Sequence, residues 1–99
     1  MAIMEISVMP LGLGRPGMGD FVADLERYLI KENVPHQLTD MATLVQGEAS
    51  TLLKVANALH ELPFAQGVQR VVTRIVIDDR RDKKVLLGDK TKAVQGRLT

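Results

Sequence analysis

The spacing of the apolar residues switches repeatedly between two periods, and the order of these switches constrains the fold more than any other feature. Ile3–Leu11 alternates apolar and polar side chains, as a strand with one buried face does. From Asp20 the apolar residues recur at helical spacing, which predicts a helix. We expect this helix to end near Asn33, because Asn tolerates a left-handed C-terminal position and Pro35 disfavours helical backbone in the residue before it.

The remainder of the chain repeats this succession. The segment after Pro35 is too short for a helix with its connections and is rich in Thr, Val and Leu, which favours a hairpin. A second amphipathic helix follows, then the clearest alternating strand in the chain and a short C-terminal helix. The predicted elements are strands His36–Asp40 and Thr43–Gln46, a helix opening at Glu48 and closed by Pro63 and Gly67, strand Gln69–Asp78, and helix Lys90–Leu98.

The order strand–helix–strand–strand–helix–strand predicts an α+β, ferredoxin-like split βαββαβ fold, formed as one domain over residues 1–99. Its four-stranded antiparallel sheet has both helices on one face. We expect the other face to be a mixed surface suited to a partner or a ligand. On the strand phases it carries Glu5, Ser7, Val72, Arg74, Val76 and Asp78. A chain of 99 residues buries only about 60–65% of its unfolded surface, so we also expect self-association.

The composition excludes several classes of functional site and partner. The chain has no cysteine, which excludes disulfides, thiolate metal sites and a catalytic thiol, and its net charge of +1 argues against a nucleic-acid partner. No basic signal-peptide region and no membrane-spanning run occur, so a cytoplasmic location without a membrane partner is expected. His36 and His60 lack metal-ligand spacing and are interpreted as structural. We expect no metal, no cofactor, no catalytic residues and no enzymatic activity.

A glycine-rich segment, Gly12–Gly19, lies between the first strand and the first helix. It matches the dinucleotide-binding pattern G-x-G-x-x-G, but Pro16 and two further glycines delay the helix that the third glycine should enter. The simplest interpretation is a connecting loop. An alternative is an anion site, in which the backbone at Gly12 and Gly14, with Arg15, holds a phosphate or sulfate near the helix start.

A charged run, Asp78–Lys84, follows the last strand. Such a run is usually a solvated loop. Arginines beside aspartates can also form bidentate pairs that fix a subunit contact or border a pocket. The predicted oligomer contacts are Glu5, Arg74, Arg80 and Arg81.

Three segments together resemble a known family: Ser7–Gly12, Leu38–Thr43 with Val45–Gly47, and Gly67–Lys83. The chain is similar over nearly its whole length to the small thiamine-binding (YkoF-like) proteins, long described as a domain of unknown function. The resemblance implies a ferredoxin-like fold, homodimers or homotetramers formed through the sheets, and binding of thiamine or its hydroxymethylpyrimidine half without chemistry. Arg74 stands where that family has a small hydroxyl residue.

The chemistry that thiamine requires then suggests ligand residues. Its aminopyrimidine needs hydrogen-bond donors and acceptors, and its thiazolium needs negative charge or an aromatic face. We expect a pocket where strand ends meet a neighbouring subunit. Its predicted ligand-binding residues are the hydroxyls Thr39, Thr43 and Thr73, the carboxylates Glu48 and Asp78, and the apolar Met9 and Met41. The alternatives are a structural or regulatory oligomer and the anion site.

Overall fold

The computed structural model describes residues 1–13 and 19–98. Its elements follow the predicted order: β1 (Ala2–Pro10), α1 (Gly19–Lys31), β2 (His36–Leu38), β3 (Thr43–Gly47), α2 (Ala49–Ala65), β4 (Val71–Asp79) and α3 (Asp89–Arg97). The four strands form one antiparallel sheet, which confirms the ferredoxin-like fold. Among these described residues, every helix is too short or too polar to cross a membrane.

β1 is an inner strand of the sheet, whose spatial order is β2-β3-β1-β4. It pairs with β4 over its whole length, from Ala2 to Pro10. Its pairing with the shorter β3 runs only from Ala2 to Ile6, which lies opposite Thr43. Beyond Ile6, β4 is therefore the only one of the described strands that pairs with β1.

One face of the sheet is buried beneath α1 and α2. Alternate residues of β1 point into this core and meet an apolar stripe from each helix. The buried cluster includes Ala2, Met4, Ile6 and Val8 of β1, Leu25 and Leu29 of α1, and Leu52, Val55, Ala56 and Leu59 of α2. Full burial of one such aliphatic side chain contributes roughly 1.5–3 kcal/mol. The predicted placement of both helices on one face is confirmed.

The opposite face of the sheet, called the open face below, carries the remaining side chains of β1 and β4. Directly opposed residues of antiparallel strands share a face. The register pairs Ile3 with Asp78, Glu5 with Val76, Ser7 with Arg74, and Met9 with Val72. These pairs confirm the predicted composition of this face. Near one end of it, the segment before α3 is tied to β3, since Leu87 N–H donates to Gln46 Oε1 at 2.7 Å.

Both long helices end in a Schellman motif, in which a left-handed residue follows the helix. After α1 this residue is Asn33, with φ of 56°, and the next amide, that of Val34, donates to the Leu29 carbonyl at 3.0 Å. After α2 the same geometry occurs at Gly67, with φ of 89°. The predicted stop at Asn33 is therefore confirmed, because a short polar side chain tolerates a conformation that strains most other residues.

The predicted boundaries agree with the structure to within about two residues, and two differences have clear causes. α2 continues past Pro63 to Ala65. A proline in the last turn removes a single donor, and the amide of Gln66 donates to the Pro63 carbonyl, which keeps the turn closed. The first hairpin strand ends at Leu38 instead of Asp40, because the following residues form a turn.

The turn between β2 and β3 is closed by Thr39. Its amide donates to the Ala42 carbonyl at 2.9 Å, and its Oγ1 donates to the same carbonyl at 2.7 Å. Oγ1 also accepts from the Ala42 amide at 3.2 Å. By forming hydrogen bonds with nearby backbone groups, a threonine hydroxyl offers the backbone an alternative to strand pairing. The turn therefore sets the point at which β3 begins.

Replacing Thr39 should destabilise the turn. Thr39→Val keeps the side-chain shape but removes the hydroxyl, so the free energy of unfolding should fall by about 0.5–1.5 kcal/mol. Thr39→Ser should retain most of the stability, because it keeps the hydroxyl. Urea unfolding of the three proteins measures the difference. Equal stability of the Val and Ser variants would show that the hydroxyl does not hold the turn.

Candidate functional site

A cavity of about 750 Å³ lies between α1, the second half of β1 and the β2–β3 turn. It occupies the space beside β1 into which β3 would extend if both strands had the same length. α1 packs against α2 and leaves this space open. A volume of this size suits a small molecule, for which sites of about 300–1,000 Å³ are usual.

The edge of β1 brings backbone hydrogen-bonding groups to this cavity. Leu11 N–H donates to the carbonyl of Arg70 at 2.9 Å, which places the odd-numbered residues in the hydrogen-bonded pairs with β4. In an antiparallel strand the N–H and C=O of one residue point to the same side, and the side alternates along the strand. The N–H and C=O of Val8, which lines the cavity, therefore point away from β4 and offer a paired donor and acceptor.

Flexible apolar side chains form much of the cavity wall. Met9 and Met41 both line it, as do Leu38 and Ile30. All four side chains are substantially exposed, Met41 at 89% and Ile30 at 66%. Methionine is polarizable and has several rotatable bonds, so it adapts to the shape of a bound molecule. The wall can therefore close around a flat, partly apolar ligand.

A stripe of α1 faces the cavity and carries a carboxylate that sequence analysis missed. Val22, Glu26 and Ile30 follow one another at intervals of four residues, and all three line the cavity. The sequence signal was present, since a charged residue in the middle of an apolar stripe is unusual on a buried helix face. Periodicity assigns Val22 to the apolar side of this helix together with the core residues and does not separate the stripe that faces the cavity.

Three charged side chains of the described residues line the cavity. Two are carboxylates, Glu26 and Asp40, of which Glu26 is paired with His36. Arg27 lines it as well, but its guanidinium donates to Asp24 Oδ1 at 2.7 Å, so its charge is balanced close by. Arg74 lies on the open face and is not part of the lining. The wall is therefore better suited to a cationic or neutral ligand than to an anion.

His36 joins the start of β2 to this wall. Its Nδ1 lies 2.7 Å from the Val34 carbonyl and its Nε2 lies 2.9 Å from Glu26 Oε2. Carbonyl and carboxylate oxygens both accept, so each ring nitrogen is the donor in its contact. The predicted structural role of His36 thus includes holding the Glu26 carboxylate.

The cavity brings some of the predicted ligand residues together and leaves others apart. Those that line it are Met9, Thr39, Met41 and Thr43. The Thr39 hydroxyl is already bonded within the turn, and Thr43 is buried at 3% exposure. What the turn contributes to the cavity is therefore mainly its backbone, Asp40 and Met41.

The remaining predicted ligand residues lie elsewhere. Thr73 faces the helices, where its Oγ1 is 2.7 Å from His60 Nδ1. Glu48 is exposed at the start of α2. Asp78 lies on the open face and lines a smaller cavity of about 330 Å³ beside α3. Sequence analysis predicts one pocket for these three residues, but the fold places Thr73 on the helix side of the sheet, Asp78 on the open face and Glu48 at the start of α2.

The charged run forms ion pairs within itself. Arg80 makes a bidentate contact with Asp82, with Nε–Oδ1 at 2.6 Å and a second contact at 2.9 Å, and Arg81 donates to Asp79. The hydrogen bond from Arg80 lowers the pKa of the exposed Asp82 carboxyl to about 2. Arg80 also lines the smaller cavity. The other two predicted oligomer contacts, Glu5 and Arg74, share the open face.

The described residues include only part of the glycine-rich segment. Gly12 is exposed with φ of 75°, whereas Gly14 and Arg15, on which the anion-binding alternative rests, lie outside the described residues. Within residues 1–13 and 19–98, no group of three or more His, Asp or Glu side chains is placed to hold a metal ion. The loop alternative stays a prediction.

Comparisons with known proteins place the chain in a family. The family described as thiamine-binding protein matches residues 4–95. The UPF0045 protein YqgV of Bacillus subtilis is 44% identical over 99% of this chain and 98% of its own length. The hypothetical protein MJ1052 of Methanocaldococcus jannaschii superposes with a TM-score of 0.83 at 28% identity, with 95% of each chain covered. A Thermotoga maritima protein, whose name proposes a part in thiamine biosynthesis or salvage, shares the fold with a TM-score of 0.75 at 17% identity, covering 94% of this chain and 97% of its own. The chain therefore belongs to the thiamine-binding protein family.

Proposed function

We propose that this chain is a cytoplasmic protein that binds thiamine, or its hydroxymethylpyrimidine half, and leaves it chemically unchanged. The observation that carries the proposal is the cavity beside β1, where a backbone donor and acceptor meet acidic groups and methionine side chains in a member of a thiamine-binding family. Nucleic acid and membranes are not proposed as partners, because a net charge of +1 provides no strongly basic surface.

The backbone of Val8 suits the pyrimidine half of such a ligand. An aminopyrimidine presents an amino donor next to a ring-nitrogen acceptor. The C=O and N–H of Val8 are the complementary pair and point to the same side of β1. Two parallel hydrogen bonds of this kind contribute about 0.5–1.5 kcal/mol each. The strand edge thus supplies recognition of the ring through its backbone groups.

The cavity wall suits the cationic half of thiamine. Asp40 places negative charge at the cavity, whereas Glu26 is paired with His36 and Arg27 with Asp24. The methionines give the apolar ring surfaces adaptable contacts. A cationic thiazolium in this position gains electrostatic attraction without facing an uncompensated arginine.

The open face supports self-association into a homodimer or homotetramer. On β4, Val72 and Val76 are 47% and 48% exposed and flank Arg74, and Glu5 lies on the same face of β1. In a two-fold arrangement the same surface meets itself, so each Glu5 can face Arg74 of the second copy. The face thus combines apolar area with charges of opposite sign.

Ligand binding is tested by calorimetric titration of the purified protein with thiamine, its pyrimidine half and inorganic phosphate. Thiamine and the pyrimidine half should bind, and phosphate should not. Met9→Ala should weaken thiamine binding about fivefold, because part of the apolar contact area is lost. Val72→Ala is the matched control, since Val72 lies opposite Met9 in the sheet but does not line the cavity.

Each other outcome has a distinct meaning. Binding of phosphate alone would favour the glycine-loop alternative, and binding of none of the three would favour a structural oligomer and contradict the proposal. Equal weakening by Met9→Ala and Val72→Ala would assign the effect to the open face and count against the cavity.

Self-association through the open face is tested by charge reversal. Glu5→Arg and Arg74→Glu should each shift the protein toward the monomer in sedimentation velocity, because like charges would then face each other across the interface. The double variant should restore association. Lys54→Glu, on the exposed side of α2, is the control. A sedimentation coefficient that none of the changes alters would rule out this face as the interface.

A further inference from the structure

One oxygen of Glu26 is left without a partner inside the protein. Oε2 is bonded to His36 Nε2 at 2.9 Å. Oε1 is closed off from solvent and accepts no hydrogen bond from any described residue. A buried carboxylate oxygen without a donor is costly, so native proteins rarely leave one unless it serves a ligand or a bound water.

The position of this carboxylate is set by a chain of local contacts. The left-handed Asn33 ends α1 and turns the backbone, so that Val34 directs its carbonyl to His36 Nδ1 at 2.7 Å. That contact orients the imidazole, whose Nε2 then meets Glu26 Oε2. The His36 and Glu26 side chains are 16% and 23% exposed. Glu26 is therefore held through Oε2, and Oε1 is the carboxylate oxygen that has no donor among the described residues.

Glu26 lines the cavity, so we expect a ligand donor to approach Oε1 from that side. Met41 and Ile30 line the cavity too and are among the most exposed apolar side chains of the described residues. Because Oε1 is closed off from solvent, a ligand that bonds to it must displace the atoms that cover it.

We propose that Glu26 determines ligand specificity by accepting, through Oε1, a hydrogen bond from a nitrogen donor of the bound molecule, with His36 as its positioning residue. This inference rests on the proposed function and extends it. It requires the cavity to prefer an aminopyrimidine over the analogue in which an oxo group replaces the amino group. The oxo analogue removes an amino donor and sets an acceptor against the carboxylate.

The test compares thiamine with its 4-oxo analogue by calorimetric titration. The wild-type protein should prefer thiamine by at least about tenfold. Glu26→Gln should lower this preference at least about threefold, because its amide can donate to the oxo group, and the part of the preference that the Val8 backbone supplies should remain. Glu26→Asp keeps the charge but withdraws the oxygens by one methylene, so it should lower the preference to a similar extent. Glu32→Gln, at an exposed position just beyond α1, should leave the preference unchanged.

His36 is tested in the same titrations. His36→Ala should reduce the preference as Glu26→Gln does, and His36→Gln, whose amide can donate to Glu26, should restore part of it. A purely structural histidine would change stability and the affinities for both ligands together, and would leave their ratio unaltered. Circular dichroism checks that each variant is folded.

The failures can be told apart. If the wild-type protein binds both ligands but the Glu26 variants keep its preference, this inference is overturned and the proposed function stands. If the wild-type protein shows no preference, Glu26 is likewise not the specificity determinant. If the wild-type protein binds neither ligand, the proposed function fails and this inference fails with it.

Discussion

The unequal pairing of β1 is the constraint on which the rest of the site depends. β1 has nine residues and β3 has five, so β1 continues past Ile6 with β4 as its only described strand partner. Thr39 sets that inequality, because its hydrogen bonds to Ala42 form a turn where β3 could otherwise have extended. As a result, one edge of β1 beyond Ile6 is unpaired by any described strand. Its backbone N–H and C=O groups face the cavity that occupies this space.

The other components of the site follow from how α1 packs. One stripe of the helix, formed by Phe21, Leu25 and Leu29, is buried. The neighbouring stripe, which includes Glu26, is left to face the cavity. A single helix therefore serves both core and site, and the Schellman motif at its end places His36 against the carboxylate. The fold and the cavity share the same few contacts, which ties the geometry of the cavity to the stability of the fold.

The open face and the cavity meet along β1. Met9 lies opposite Val72 on the open face and also lines the cavity. A second copy packed on the open face would therefore border the cavity. Small domains that expose much of one sheet face often gain stability from such association. α3 contributes no buried residue, and Val94 is 48% exposed. A nine-residue helix is marginal by itself, so it too stands to gain from a partner surface.

Sequence alone determined the order of the elements, the faces of the strands and the end of α1 at Asn33, because each depends on local periodicity or backbone preference. Sequence analysis also predicted Met9 and Met41 as the apolar lining of a pocket, and both line the cavity. The resemblance of three segments indicated the family. Only the tertiary structure decided that Thr73 pairs with His60 and that Asp78 lies apart from the turn, because strand order and register bring distant positions together. The position of Glu26 at the cavity depends likewise on packing: periodicity shows which residues share a helix face, but not which face a neighbouring element leaves uncovered.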